Sequence, residues 1–178
     1  MSLKKRIDDI VTSKGKGLEG LREASRVVAD HIADLLGVNA EEVAILILTT
    51  TQKSLKFVWP PALSKSSSVL PADHKSAIAS TVLSTKKGKV DNKCSESKHL
   101  RFFENVRGMD TSGSPIQKMI ALPLIHGGSP LGVLEVSRKG RTPSDAGPDF
   151  TPQNAQALVA VSKEVTPLFA KLIPDPFL

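Results

Sequence analysis

Apolar residues recur at intervals of three and four in two long segments of the chain, one near each end. The first segment runs from Leu18 to Leu36 and is followed by Gly37, and the second follows Thr151 and Pro152. This spacing places the apolar side chains on one side of a helix. Thr151 is a favourable cap for a helix start, and Pro152 fits the first helical position because its missing N–H needs no partner there. The pattern therefore predicts an amphipathic helix near each end.

Between these helices the pattern changes to short apolar runs that are typical of β-strands. The runs lie at residues 42–51, 55–59, 118–125 and 131–136. A polar turn joins the first two runs, and a turn with two glycines joins the last two, so each pair predicts an antiparallel hairpin. A helix is expected over 71–85, and 89–116 is the least regular stretch. Helices at both ends with hairpins between them predict an α+β domain on a central antiparallel sheet.

The length of 178 residues is enough for one domain with short extensions. We assign residues 1–16 to an N-terminal extension, 17–173 to the domain and 174–178 to a C-terminal tail. No uncharged run approaches the roughly 18 apolar residues that a membrane span needs. The first residues have charges but no apolar run of secretory length, so we expect no signal peptide there. The single cysteine, Cys94, excludes an internal disulfide and is typical of a reducing compartment. We therefore expect a cytoplasmic protein with no membrane partner.

The charge balance raises the question of a nucleic-acid partner. Lys and Arg number 24 against 18 Asp and Glu, which gives a net charge of +6. Proteins that bind single strands interleave basic residues with several aromatic ones, and this chain has six Phe, one Trp and no Tyr. The basic residues are also dispersed rather than gathered in one stretch. The sequence therefore predicts no nucleic-acid partner.

The second half of the chain resembles the closing half of a GAF domain. An apolar strand with a proline at 121–124, a glycine turn at 127–128, Leu-Gly-Val-Leu at 131–134 and Phe-Thr-Pro at 150–152 follow the family's order. The first half fits the same order, so the resemblance covers roughly residues 18–172. It implies a six-stranded antiparallel sheet with the terminal helices packed on one face. A pocket under loops and short helices is implied on the other face.

The resemblance also implies a class of function. GAF domains are sensory modules, and members bind cyclic nucleotides, tetrapyrroles, haem, iron or small acids. We therefore expect a non-enzymatic domain that senses a small molecule in signalling or regulation, and a homodimer through the first and last helices. The alternative is a ligand-free dimerisation or docking module. A lesser alternative resembles the family's methionine sulfoxide reductases, but their chemistry needs a second cysteine, which this chain lacks.

Cyclic nucleotides are disfavoured as the ligand by the residues present. The family's signature for them has an Asn-Lys pair after the Gly-Val-Leu strand, where this chain has Ser137 and Arg138. The signature also has an Asp-Glu pair early in the last helix, where this chain has Asn154 and Ala155. The signature's phenylalanine is kept as Phe150, which also serves as a helix staple.

Cys94 gives no indication of a cofactor or a metal. In the branch of the family that attaches a bilin, a histidine follows the cysteine directly, whereas His99 here stands five residues further on. The spacing of aspartate, cysteine and histidine in this region also matches no metal-ligand pattern. We therefore predict no cofactor, no metal site and no catalytic residues.

The candidate ligand contacts come from the irregular stretch and from two strands. Arg101 and Arg107 stand beside phenylalanines, a mixture of charge and apolar wall suited to a small organic anion. The alternative is a short helix that seats the phenylalanines on the sheet and leaves the arginines in solvent. Glu135, the single charge in its strand, is a further candidate, with an exposed carboxylate as the alternative. The predicted ligand contacts are Trp59, His99, Arg101, Phe103, Arg107 and Glu135.

Overall fold

The computed structural model describes residues 1–65, 69–96 and 114–178. The described helices are α1 (Leu3–Lys14), α2 (Leu18–Leu36), α3 (Pro61–Ser64), α4 (Ile78–Thr85) and α5 (Pro152–Leu172). The described strands are β1 (Val43–Leu48), β2 (Ser54–Trp59), β3 (Val69–Pro71), β4 (Lys89–Asp91), β5 (Ile116–His126) and β6 (Ser129–Lys139). Short 3₁₀ turns lie at Ala40–Glu42 and Cys94–Glu96.

The described strands form one antiparallel sheet in the order β3-β2-β1-β6-β5-β4. The hairpin of β1 and β2 is joined to the hairpin of β5 and β6 by pairing between β1 and β6. The three-residue strands β3 and β4 extend the two edges of the sheet. The predicted α+β class and the six-stranded antiparallel sheet are therefore confirmed.

The two faces of the sheet bury different sets of side chains. On one side, called the helix face here, Val43, Ile45 and Ile47 of β1 pack in one cluster with α1, α2 and α5. On the other side, called the α4 face here, Leu46 and Val133 pack with α4 and the turn at Cys94–Glu96. Successive residues of a strand point to opposite faces, which explains why neighbours along β1 enter different clusters. The terminal helices thus share one face, as the sequence predicts.

The ends of the long helices follow the signals in the sequence. Gly37 ends α2 in the left-handed conformation, with φ 64° and ψ 45°, which glycine adopts without strain. At the start of α5 the Thr151 hydroxyl accepts from the Asn154 N–H at 3.2 Å. The Asn154 side chain accepts in turn from the Thr151 N–H at 2.9 Å. Both predicted terminal helices are therefore confirmed.

The helix expected over 71–85 is shorter in the structure. It begins at Ile78, because Pro71 belongs to the edge strand β3 and is paired with Ser54 of β2. The Ser80 hydroxyl donates to the Pro71 carbonyl oxygen at 2.9 Å and ties the helix to that edge. A strand of three residues is too short to show an alternating pattern, so the sequence gives no sign of β3 or β4.

Side chains from both ends of the chain pack against the rest of the fold, and the predicted domain boundaries stay a prediction. Leu3, Ile7 and Ile10 of α1 are buried in the cluster of the helix face. Near the other end Phe177 is buried, its N–H donates to the Thr50 hydroxyl at 2.7 Å, and its carbonyl oxygen accepts from the Thr50 N–H at 2.8 Å. Residues 1–16 and 174–178 therefore contribute side chains to the core.

The apolar stripe of α5 is filled within one chain. Val161, Val165 and Leu168 are buried, and α5 packs on α1, α2 and β5. The predicted homodimer through the terminal helices therefore has to use their outer surfaces, and it stays a prediction. None of the helices in residues 1–65, 69–96 and 114–178 is both long and apolar enough to cross a bilayer.

Candidate functional site

The α4 face carries a carboxylate at the middle of the sheet. Glu135 of β6 is paired with Ala44 of β1 on one side and with Ala121 of β5 on the other. Residues directly opposite each other on neighbouring strands point to the same face, so two methyl groups flank the carboxylate. Larger side chains, Leu46 and Val133, lie one step further along the strands on this face. The neighbours of Glu135 on both adjoining strands are therefore small residues.

Glu135 is buried and lacks a full set of partners. Its side chain is 4% exposed, and its Oε1 atom is buried with no hydrogen-bond partner. Burial raises the pKa of the carboxyl from 4.5 to about 7, because the charged form loses its hydration. A buried acceptor without a partner is uncommon in native structures, and it marks the position as a candidate binding site.

Cys94 lies close to this carboxylate on the same face. Its thiol donates to the Asp91 carbonyl oxygen at 3.3 Å from the turn that follows β4. Burial, with the negative charges of Asp91 and Glu135 as smaller causes, raises the pKa of the thiol to about 12. The thiol is therefore protonated at neutral pH and is a poor nucleophile.

The walls around Glu135 are apolar. Helix α4 packs against β5 and β6 and presents Ile78, Ala79 and Val82 to the cluster of the α4 face. The sequence of α4 contains no charged residue. An environment of this kind strengthens any hydrogen bond that a bound group makes to the carboxylate, because water does not compete.

Trp59, a predicted ligand contact, lies in the other cluster. Its indole N–H donates to the Ala40 carbonyl oxygen at 2.9 Å, and its ring packs with the terminal helices. A bulge explains this, because Ile45 pairs with Trp59 while the next residue, Leu46, pairs with Phe57. The extra residue of β2 between these pairs turns Trp59 away from the face of Phe57. The structure therefore does not bring Trp59 together with Glu135.

The remaining predicted contacts lie outside the described residues. These contacts are His99, Arg101, Phe103 and Arg107. Their roles stay predictions of the sequence. Within the part of the chain that the structure describes, no three His, Cys, Asp or Glu side chains are grouped as a metal ion would require.

Two residues at the position of the cyclic-nucleotide signature have structural roles instead. Arg138 donates to the Leu36 carbonyl oxygen at 2.9 Å, and its guanidinium lies 4.7 Å from the centre of the Phe150 ring. The Ser137 hydroxyl donates to the Glu42 carbonyl oxygen at 3.2 Å. These contacts fix the end of α2, the start of β1 and the segment before α5 on the sheet.

Some neighbours of Glu135 have no signal in the local sequence. Ala121 is placed beside Glu135 by the hairpin of β5 and β6, which the sequence predicts. Ala44 is placed there by the pairing of β1 with β6, which are far apart in the chain, and no local pattern reports that pairing. The position of Cys94 depends on the pairing of β4 with β5, which the sequence does not predict either. The signal in the sequence is the charge of Glu135 within an apolar strand, and its role as a ligand contact stays a prediction.

The comparisons with known proteins agree with this architecture. The family model of the GAF domain matches residues 20–166. The chain belongs to the GAF domain family, whose members are in general signalling and ligand-binding modules. A search of curated protein sequences gives no match.

Several solved structures share the fold. Residues 122 to 287 of a methyl-accepting chemotaxis protein superpose with a TM-score of 0.68 at 16% identity, covering 95% of both chains. The GAF domain of an Acinetobacter phosphoenolpyruvate-protein phosphotransferase gives 0.64 at 16% identity, covering 96% of this chain and 95% of that one. The free methionine-R-sulfoxide reductase of Neisseria meningitidis gives 0.57 at 15% identity, covering 95% and 87%. Identities this low show the fold alone.

Proposed function

We propose that this chain is a non-enzymatic sensory GAF domain that binds a small molecule on the α4 face, against Glu135. The observation that carries the proposal is the buried Oε1 atom without a partner, at the middle of the sheet and between two alanines. A buried acceptor that is unpaired in the free protein costs about 1–3 kcal/mol. A ligand that donates a hydrogen bond to this atom removes that cost, so binding of such a ligand is favoured.

A sensing role is favoured over a docking role by the same carboxylate. A domain that only docks to other proteins gains nothing from a charge buried under α4, and an apolar residue there would be more stable. The docking module is therefore the outcome that remains if no small molecule binds. The homodimer through the terminal helices and the cytoplasmic location are part of the proposal, and light scattering at micromolar concentration tests the dimer.

A non-enzymatic role is supported by the state of the thiol. Methionine sulfoxide reductases occur among the proteins of similar fold, and their chemistry passes through a cysteine sulfenic acid. Here the pKa of Cys94, raised by burial to about 12, keeps the sulfur protonated, and the chain has no second cysteine to resolve an oxidised one. An assay with methionine sulfoxide and a dithiol reductant tests this point, and turnover that depends on Cys94 would contradict it.

A thermal-shift screen of metabolites tests the binding function. It compares wild type with Glu135→Gln and with Glu41→Gln, which removes an exposed carboxylate as the matched control. We expect ligands that raise the melting temperature of wild type and of Glu41→Gln by several degrees, with a smaller effect on Glu135→Gln. Arg101→Ala and Arg107→Ala test the predicted contacts to an organic anion. Equal shifts in all variants would show that the ligand binds away from the predicted site. A broad screen without a hit would favour the docking module.

A further inference from the structure

The Glu135 carboxylate restricts the chemistry of the group that can bind to it, and this restriction rests on the proposed function. We infer that the ligand of the α4 face presents a protonated amine to the Glu135 carboxylate. The geometry on which this depends is an acceptor oxygen that is buried and unpaired, on a strand whose neighbours at that position are alanines. A ligand group that pairs with this oxygen has to donate a hydrogen bond, because an ionised carboxylate has only acceptors.

A cationic donor fits better than a neutral one. An N–H group of an amide would satisfy the oxygen but would leave a negative charge in an apolar surrounding. An ammonium group supplies up to three donors and a compensating charge, and charge-assisted hydrogen bonds are roughly twice as strong as neutral ones. A metal ion fits less well, since no three ligand side chains are grouped among the described residues.

No described side chain already supplies this positive charge. The neighbours from β1 and β5 are Ala44 and Ala121, and α4 carries no charged residue. The titratable group that faces Glu135 from the turn after β4 is the Cys94 thiol, which is protonated at neutral pH. The charges of Lys89 and Asp91 of β4 shift the pKa of the Cys94 thiol. The pKa of Glu135 is raised by burial. These statements refer to residues 1–65, 69–96 and 114–178.

Binding of an amine has a measurable link to protons. Free Glu135 is half protonated near neutral pH, since burial raises its pKa to about 7. A protonated amine binds the ionised carboxylate, so the proton of Glu135 leaves for the solvent when the complex forms. The ionised fraction rises from about one tenth at pH 6 to about nine tenths at pH 8, and the affinity for an amine should rise about tenfold over that range. An organic acid would show the opposite trend, because it binds the protonated form.

The test uses probe pairs of similar shape, benzylamine with benzoate and butylamine with butyrate, at pH 6 and pH 8. Calorimetry is run on wild type, Glu135→Gln, the control Glu41→Gln, and Ala44→Val, which fills the space beside the carboxylate with a residue that strands accept. We expect amines to bind wild type and Glu41→Gln about tenfold more tightly at pH 8. Glu135→Gln should lose at least about tenfold in affinity, together with the pH dependence. The measured binding enthalpy should change with the ionisation enthalpy of the buffer, because the buffer takes up the proton that Glu135 releases.

The outcomes separate the two proposals. If acids bind in a manner that Ala44→Val blocks while amines do not bind, the amine inference is wrong and the binding function stands. Amine affinities that are equal in wild type and Glu135→Gln, or that do not change between pH 6 and pH 8, also overturn the inference. If neither class of probe shows any binding that Ala44→Val reduces, the inference is overturned, and the metabolite screen decides whether the binding function falls with it.

Discussion

Replacing Glu135 by glutamine should stabilise the protein at alkaline pH and have little effect at acidic pH. The substitution keeps the size of the side chain and removes only its ability to ionise. Burial raises the pKa of Glu135 in the folded protein, so the folded state holds the proton more tightly than the unfolded chain does. Below pH 4.5 both states are protonated and the group has no effect. As the pH rises from 4.5 through about 7, the unfolded chain ionises first and the wild type loses stability.

The magnitude follows from the two pKa values, 4.5 for a solvated glutamate and about 7 for Glu135. At about 1.4 kcal/mol for each unit of pKa, the difference between these two values lowers the free energy of unfolding of the wild type by about 3 kcal/mol at pH 8. At pH 5 the same relation leaves less than about 1 kcal/mol. The free energy of unfolding of Glu135→Gln should therefore be about 3 kcal/mol higher than that of wild type at pH 8. With a urea slope of about 2 kcal/mol per molar, the unfolding midpoint rises by about 1.5 M.

Urea unfolding at pH 5 and pH 8 measures this difference. The fluorescence of Trp59, which is buried in the folded protein, reports the transition without a label. Glu41→Gln is the matched control, because it removes an exposed carboxylate and should follow wild type at both pH values. If Glu135→Gln is less stable than wild type at pH 8, or if its advantage is the same at both pH values, the burial argument is wrong.

Three further substitutions or treatments test other parts of the structure. Gly132→Ala would place a Cβ atom 2.0 Å from the Leu46 carbonyl oxygen. The free energy of unfolding in urea should therefore fall by at least about 3 kcal/mol. A loss below about 1 kcal/mol would contradict the pairing of β1 with β6. Cys94, whose pKa burial raises to about 12, should react with a thiol reagent at pH 8 only after unfolding, and rapid labelling of the folded protein would refute this. Phe177 is buried, so Phe177→Ala should lower the free energy of unfolding by about 3 kcal/mol. The same change should expose the C-terminal residues to carboxypeptidase. An unchanged urea midpoint would show that Phe177 adds nothing to the core.

The elements that the sequence predicts well are those whose signals are local. The three-four spacing of α2 and α5, the glycine after α2 and the cap at Thr151 all lie within a few residues of the structure they determine. Pro123 is confined to an edge or a bulge of the sheet, because proline cannot donate to the ladder. In the structure β4 pairs with β5 only at residues 119–121, so Pro123 lies beyond the end of β4.

The parts that the sequence does not predict depend on long-range pairing. Alternation along β2 would place Trp59 on the same face as Phe57, but the bulge opposite Ile45 and Leu46 moves it to the helix face. The neighbours of Glu135 come from strands that lie about 90 residues before it and 14 residues before it. A hairpin register follows from its turn, whereas the pairing of β1 with β6 has no local signal, so the sequence shows the charge of Glu135 but not its neighbour Ala44.

The central claim, that a small molecule binds on the α4 face at Glu135, is tested most directly by NMR of alanine methyl groups. Metabolite extract from the native host is added to protein labelled at its alanine methyls, and four buried or half-buried alanines are followed. The account predicts shifts at Ala44 and Ala121, which flank Glu135, and none at Ala24 and Ala29 in the cluster of the helix face. Shifts confined to Ala24 and Ala29, or no change at Ala44 and Ala121 with any fraction of the extract, would contradict it.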